Sequence, residues 1–154
     1  MNSAEPRCSW RQALRWLRLY SLRFHGGAVD LGSDPPEGEG IARIASDAVA
    51  VVSRDLEYWI PFAALRDVTG TCAREANPVV AVSLRAVLSG WVDEELDPAD
   101  PQQILWHSFI TRAGRGYAGA VRAVSDAGIL LSTRESPRLV IRWEELGAAI
   151  ERLE

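Results

Sequence analysis

The chain has 154 residues, 47% of them apolar, and a formal charge of −4 from 17 basic and 21 acidic side chains. That is the size of one domain, or of two small subdomains sharing a core, with enough apolar surface to fold alone. The acidic balance excludes nucleic acid as the default partner, because phosphate binding needs a basic surface or stripe.

All 17 basic residues are arginine, which reflects GC-rich coding before any selection for the guanidinium fork. Cys8 and Cys72 can form at most one bridge, so reduced thiols and a cytoplasmic location are expected. Arg11, Arg15 and Arg18 interrupt the N-terminal apolar run, and no stretch reaches the roughly 18 apolar residues of a membrane span. No integral membrane segment is expected.

Ser9 is placed to cap a helix whose Trp10, Ala13, Leu14, Leu17 and Tyr20 line one face. The alternation of Tyr20, Leu22 and Phe24 with Ser21, Arg23 and His25 predicts that this helix hands over to a strand near Leu17. Gly32 to Gly40 is a loop by composition, with Pro35 and Pro36 removing backbone donors. Short β segments follow at Ile41–Ile44, Val49–Val52 and Glu57–Pro61, with turns at Ser46-Asp47 and Arg54-Asp55. Phe62 to Val68 permits one or two helical turns, stopped by Gly70. Val79 to Leu84 is a β-rich run, and Arg85 to Leu88 permits a brief helix before Gly90.

Asp93 to Pro101 carries five acidic side chains and two prolines, a composition that solvates rather than packs. Ile104 to Ile110 then reads as a strand apolar on both faces, followed by a glycine-rich turn at Ala113–Gly116 and a second strand from Gly119. Arg138 to Ile141 predicts one more strand. Trp143, Leu146, Ile150 and Leu153 recur at three- and four-residue steps, which predicts a closing amphipathic helix. An internal echo runs through these segments: Arg43-Ile-Ala-Ser-Asp-Ala48 matches Arg122-Ala-Val-Ser-Asp-Ala127, and Ile60-Pro-Phe-Ala-Ala-Leu65 matches Ile141-Arg-Trp-Glu-Glu-Leu146. Two related β units are expected.

Catalytic constellations do not emerge. His25 and His107 are the only imidazole bases, and His107, inside an apolar strand, reads as a core or rim histidine first and a pH-sensitive contact second. Cysteine and histidine at 8, 25, 72 and 107 are too scattered for a metal site. Asp93, Glu94 and Glu95 lack the fixed geometry of an acid–base pair, and Gly114 to Gly119 lacks the lysine and helix of a phosphate loop. The expectation is a binding module with no metal, no cofactor and no enzymatic activity. Trp91, beside the acidic segment, reads as core or, if exposed, as part of a partner surface.

Several segments in this order resemble the CheW-like domain of bacterial chemosensory coupling proteins. Glu57-Tyr-Trp-Ile-Pro-Phe-Ala-Ala-Leu-Arg-Asp-Val68 is similar to that family's early "Tyr-Ala-Ile-Pro, then Val-x-Glu-Val" segment. Pro78-Val-Val-Ala-Val-Ser-Leu-Arg85 is similar to its "Pro-Val-x-Asp-Leu-Arg" strand, and Gly119-Ala-Val-Arg-Ala-Val124 to its "Gly-Leu-x-Val-Asp-x-Val". The family's "Asn-x-Arg-Gly" motif is missing, and Ser83 stands where an Asp is usual.

The resemblance implies a mainly β fold with short helices: two SH3-like five-stranded β-barrel subdomains, about 41–92 and 102–154, joined by the acidic linker 93–101. An N-terminal arm, 1–40, precedes them and the C-terminal amphipathic helix follows. It further implies a non-catalytic adaptor that holds signalling proteins, a chemoreceptor and a histidine kinase, with Val80, Val82, Arg85, Trp91, Val121 and Val124 as partner-binding residues. Plain core packing competes for Val121 and Val124. The alternative is a pleckstrin-like or immunity-type binding domain, one barrel capped by the C-terminal helix.

Overall fold

The computed structural model describes residues 5–153, and side chains from residue 10 onward. The chain opens with helix α1 (Glu5–Arg15), followed by strands β1 (Leu17–Phe24), β2 (Gly27–Asp30), β3 (Gly40–Ile44), β4 (Ala48–Ser53) and β5 (Leu56–Pro61). A 3₁₀ turn (Phe62–Ala64) leads into β6 (Leu65–Cys72), and helix α2 (Leu84–Ser89) follows. The second half contains β7 (His107–Thr111), β8 (Gly116–Val124), β9 (Gly128–Thr133) and β10 (Leu139–Arg142), then a second 3₁₀ turn (Trp143–Glu145) and β11 (Leu146–Arg152). A three-stranded sheet has the order β2-β1-β6, and an eight-stranded sheet the order β10-β9-β8-β7-β11-β5-β4-β3. Every named strand pair is antiparallel.

The handover from helix to strand falls where the change of period predicts it. Asn77 stabilises the junction: its side-chain amide donates to the Leu14 carbonyl, one that the helix end leaves open, at 2.7 Å and to the Leu17 carbonyl at the start of β1 at 3.0 Å. Glu5 to Ser9 already lie within the helix, so Ser9 is not the cap expected from the sequence. Cys8 lies outside the residues whose side chains are described.

One order of elements occurs twice. β3, β4, β5, the first 3₁₀ turn and β6 are followed 79 to 81 residues later by β8, β9, β10, the second 3₁₀ turn and β11, the spacing of the sequence echo. The last strand of each set returns to a strand that precedes the set: Leu65 of β6 pairs with Phe24 of β1, and Leu146 of β11 with Thr111 of β7. Just beyond each pair, His25 N–H donates to Ala64 O at 2.8 Å and Arg112 N–H to Glu145 O at 2.7 Å.

The two sets differ at their first strand. β8 is continuous, pairing with β7 through Gly116–Gly119 and with β9 through Gly119–Val124. In the first set the corresponding strand is cut into β2 and β3 by the loop holding Pro35 and Pro36, residues without the N–H that a ladder needs. The break leaves β2-β1-β6 as a separate sheet.

Two cores result, on opposite faces of the central strands. Val49 and Val51 of β4, Ile60 of β5, and Ala148 and Ile150 of β11 enter a core with Leu14, Leu19, Leu22, Phe24 and Val29. Ala48 and Ala50 of β4, Trp59 of β5, and Ala149 of β11 enter a second with Leu84, Leu88, Phe109, Val121, Ile129 and Leu131. The boundary expected at residue 40 does not divide the structure, because α1, β1 and β2 supply much of the first core.

Two further expectations are corrected. The helix predicted from Trp143 to Leu153 is a 3₁₀ turn followed by β11. Its apolar residues fit helical steps, yet Leu146–Ile150 is buried on both faces, and a strand covered on both faces shows a continuous apolar run rather than alternation. Gly147 also fixes the strand: a Cβ there would overlap the carbonyl oxygen of His25. The run from Val79 to Leu84 is not a strand but a strap along the outer edge of β3, where Ile44 N–H donates to Pro78 O at 2.8 Å and Val80 N–H to Ile44 O at 2.9 Å. Ser83 then caps α2, its side chain accepting from Ala86 N–H at 3.1 Å.

Because Leu22 of β1 is fully buried in the first core, truncation there tests whether the N-terminal segment is structural. Leu22→Ala is expected to lower unfolding free energy by about 2–5 kcal/mol, read as a shift of the urea midpoint. A change within experimental error would mean that residues 1–40 are a detachable arm.

Candidate functional site

Where β5 joins β11, the second-core face carries charge among apolar neighbours. Pairing across β7, β11 and β5 sets His107 beside Glu151 and Glu151 beside Glu57. Directly opposed carboxylates repel, so each needs its own partner.

Arg43 supplies one. Its pairing row runs through Ala50 to Trp59, and the short Ala50 side chain leaves the way across open. The Arg43 guanidinium lies 5.2 Å from the centroid of the Trp59 ring and donates to both Glu57 oxygens at 2.9 Å. Trp59 Nε1 also donates to Glu57 Oε1 at 3.1 Å. Glu57 is therefore buried with both oxygens engaged, as a buried carboxylate requires.

His107 partners the other carboxylate. Its Nε2 lies 3.1 Å from Glu151 Oε2, and its ring stacks on Trp91 with centroids 4.2 Å apart and planes 13° apart. Burial holds the imidazole pKa below its ordinary value of 6.5, opposed by the hydrogen bond and charge of Glu151 and by the charge of Asp93. At neutral pH His107 is uncharged, and Nε2–H donates to Glu151. The row then holds one guanidinium against two carboxylates, a net charge of −1.

Arg43, Glu57 and Glu151 line a groove of about 380 Å³, walled by Trp59, Trp91 and Val87 and rimmed by Val80 and Val82 of the strap, with His107 behind Glu151 and Trp91. Next to it the acidic segment is pinned rather than loose: Arg122 donates to the carbonyls of Asp93 and Leu96 at 2.6 and 2.5 Å.

Of the six residues expected to contact partners, the groove collects Val80, Val82 and Trp91. Val82 is 40% exposed, while Trp91 is 8% exposed and forms a wall rather than a protruding anchor. Arg85 lies elsewhere, paired with Asp126 in a second cleft that includes Phe62 and Trp143. Val121 is fully buried, facing the second core beneath the segment that pairs Val92 with it, and is closed to any partner in this conformation. Val124 packs half-buried against the same core.

Sequence reasoning missed Arg43, Glu57 and Glu151 as site residues. One signal was available: Glu57 interrupts an otherwise apolar-aromatic strand, Leu56 to Pro61, and a lone acid there must be paired. The pairing itself spans residues far apart in the chain and depends on register.

Among the described residues, no group of three histidine, cysteine, aspartate or glutamate side chains is arranged to hold a metal ion. None of the described helices is long and apolar enough to cross a membrane. Comparison with protein-family models, with curated proteins and with solved structures yields no match.

Two outcomes are expected from this geometry. Arg43→Ala leaves the buried Glu57 carboxylate without its cation and is expected to cost about 1–3 kcal/mol, largely recovered in the Arg43→Ala, Glu57→Gln double variant; denaturation of the four proteins of the cycle measures both. His107 binds its proton more weakly folded than unfolded, so unfolding takes up protons and stability falls with pH from about 6.5 down to the lowered folded value. Urea midpoints between pH 5 and 7.5 are expected to show this fall, and His107→Gln to remove it.

Proposed function

We propose that this chain is a non-catalytic protein-binding adaptor made of two SH3-like five-stranded units. The observation that carries this reading is the groove at the seam of the two repeats, which both repeats line and whose rim residue Val82 is left exposed by the described residues. Exposed apolar rims around a concave site mark protein contacts. The duplicated strand order, with a 3₁₀ turn before each last strand, supports the SH3-like assignment of each unit.

A signalling role between a receptor and a histidine kinase is the setting that the CheW-like resemblance suggests, and the two-unit organisation is compatible with it. The pleckstrin-like alternative rested on a C-terminal helix capping one barrel, and that segment is β11.

Selection of a random peptide library on the immobilised chain tests the adaptor reading, with Val82→Asp as counter-target. Val82 is exposed, so circular dichroism is expected to show an unchanged fold. Peptides that bind the parent chain and weaken about tenfold or more on Val82→Asp, a loss of about 1.4 kcal/mol, support groove docking. Failure to select any binder, or binders indifferent to Val82, overturns it.

A further inference from the structure

The two carboxylates of the groove are not equally satisfied. Glu57 accepts three donors, two contacts from Arg43 and one from Trp59. Among the described residues, Glu151 accepts only from the His107 ring nitrogen, and its side chain is one third exposed into the groove. A carboxylate has about four acceptor positions, so Glu151 retains open ones. The surrounding walls, Trp59, Trp91 and Val87, lower the local dielectric and strengthen its pull on a cation. Val80 and Val82 provide apolar surface of the kind on which the methylene stem of a long basic side chain lies.

We propose that the groove is a receptor for one basic side chain, an arginine or lysine of a partner protein, with Glu151 as its counter-ion and His107 as the competitor that releases it in acid. The identity of the occupant follows from charge complementarity: one negative charge remains uncompensated in an apolar-walled concavity. This rests on the adaptor reading above and specifies the chemistry of its partner.

The release follows from the groups that face His107. Glu151 faces it from β11 and Asp93 from the segment after α2, while Trp91 covers its ring and Gly119 of β8, without a side chain, stands opposite. When the ring gains a proton, Glu151 acquires an internal cation and the row loses its net negative charge. A bound guanidinium then has no counter-charge to itself.

The probe is acetyl-Gly-Arg-Gly-amide, compared with the same peptide carrying citrulline, which keeps the shape and loses the charge. Binding is followed by the indole N–H signals of Trp59 and Trp91 in ¹H–¹⁵N spectra. At pH 7.5 the arginine peptide is expected to shift both indoles and to bind about tenfold more tightly than the citrulline peptide. At pH 5.5, below the ordinary imidazole value, its affinity is expected to be lower than at pH 7.5. Glu151→Gln should abolish the preference for arginine, and in His107→Gln the ratio of arginine-peptide affinities at the two pH values should fall to about one.

Equal binding of the two peptides, or no shift from arginine at concentrations on the order of 10 mM, overturns the proposal. If library selection gives groove-dependent peptides without a basic residue, the adaptor reading stands and the cation receptor falls. If selection gives none while the arginine peptide binds through Glu151, the reverse holds.

Discussion

The pairing of β5 with β11 is the contact on which the rest of the structure depends. Through four residue pairs, Ala149 with Trp59 to Arg152 with Leu56, the strand before the 3₁₀ turn of one repeat accepts the last strand of the other. That joint makes a continuous eight-stranded sheet out of two smaller ones and places both repeats on either face of the same strands. Side chains alternate across a strand, so neighbouring residues of β4, β5 and β11 feed different cores. Ala148 serves the first core and Ala149 the second. Their small size lets two packed layers approach one strand, and the close passage of His25 over Gly147 is part of the same constraint.

The seam also fixes the electrostatics. Antiparallel register brings Glu57 and Glu151 side by side, an arrangement that neither repeat carries alone. A buried carboxylate is tolerated only when hydrogen-bonded and paired, and Glu57 meets that demand through Arg43, itself held over the Trp59 ring. Arg43 remains about half exposed, so this pair sits between the weak surface ion pair and the costly buried one. Its main contribution is geometric: it holds the Trp59 ring and the Glu57 carboxylate at the groove wall. Glu151, opposite a neutral histidine, is left as the group with spare acceptor capacity.

Much of the fold was legible in the sequence for reasons that are local. The period changes from 3.6 to 2 at Leu17, the prolines of the Gly32–Gly40 loop interrupt a ladder, and Ser83 caps α2, where the sequence suggested a short helix. The echo was legible because the Ser-Asp turns at 46–47 and 125–126 and the Ile-x-aromatic steps at 60–62 and 141–143 encode the same corners of the chain. β11 was not, since Leu146 and Ile150 satisfy a helical step and a two-face-buried strand equally well, and only the presence of β5 and β7 on its two edges decides between them. Half the expected contact residues, Val80, Val82 and Trp91, do meet at one groove. Val121 does not, because burial on β8 depends on α2 and Trp91 folding over it. The charged row was illegible for the same reason as the seam: Arg43, Glu57, His107 and Glu151 share no sequence window.

The seam also raises the question of why the pairing stops there. By the 81-residue repeat, the strands equivalent to β5 and β11 are β10 and β6, and each has a free edge in its sheet. Shifting the observed Ala149–Trp59 pair (149 − 81 = 68; 59 + 81 = 140) would set Val68 of one copy against Val140 of another, an apolar match. Two residues further along, the same register opposes Arg66 and Arg142, two guanidinium groups in direct cross-strand positions, which is repulsive. Three residues the other way it brings Pro137, which has no N–H to donate, against Thr71. Charged residues and proline are the usual means by which an edge strand resists adding another chain. Within the chain, the positions equivalent to Arg66 and Arg142 are Gly147 and Pro61, which carry no charge, and those equivalent to Thr71 and Pro137 are Arg152 and Leu56, which pair in the ladder. The repeat thus carries one edge pair whose opposed like charges, Glu57 and Glu151, each have a partner, Arg43 and His107, and one whose register opposes Arg66 and Arg142.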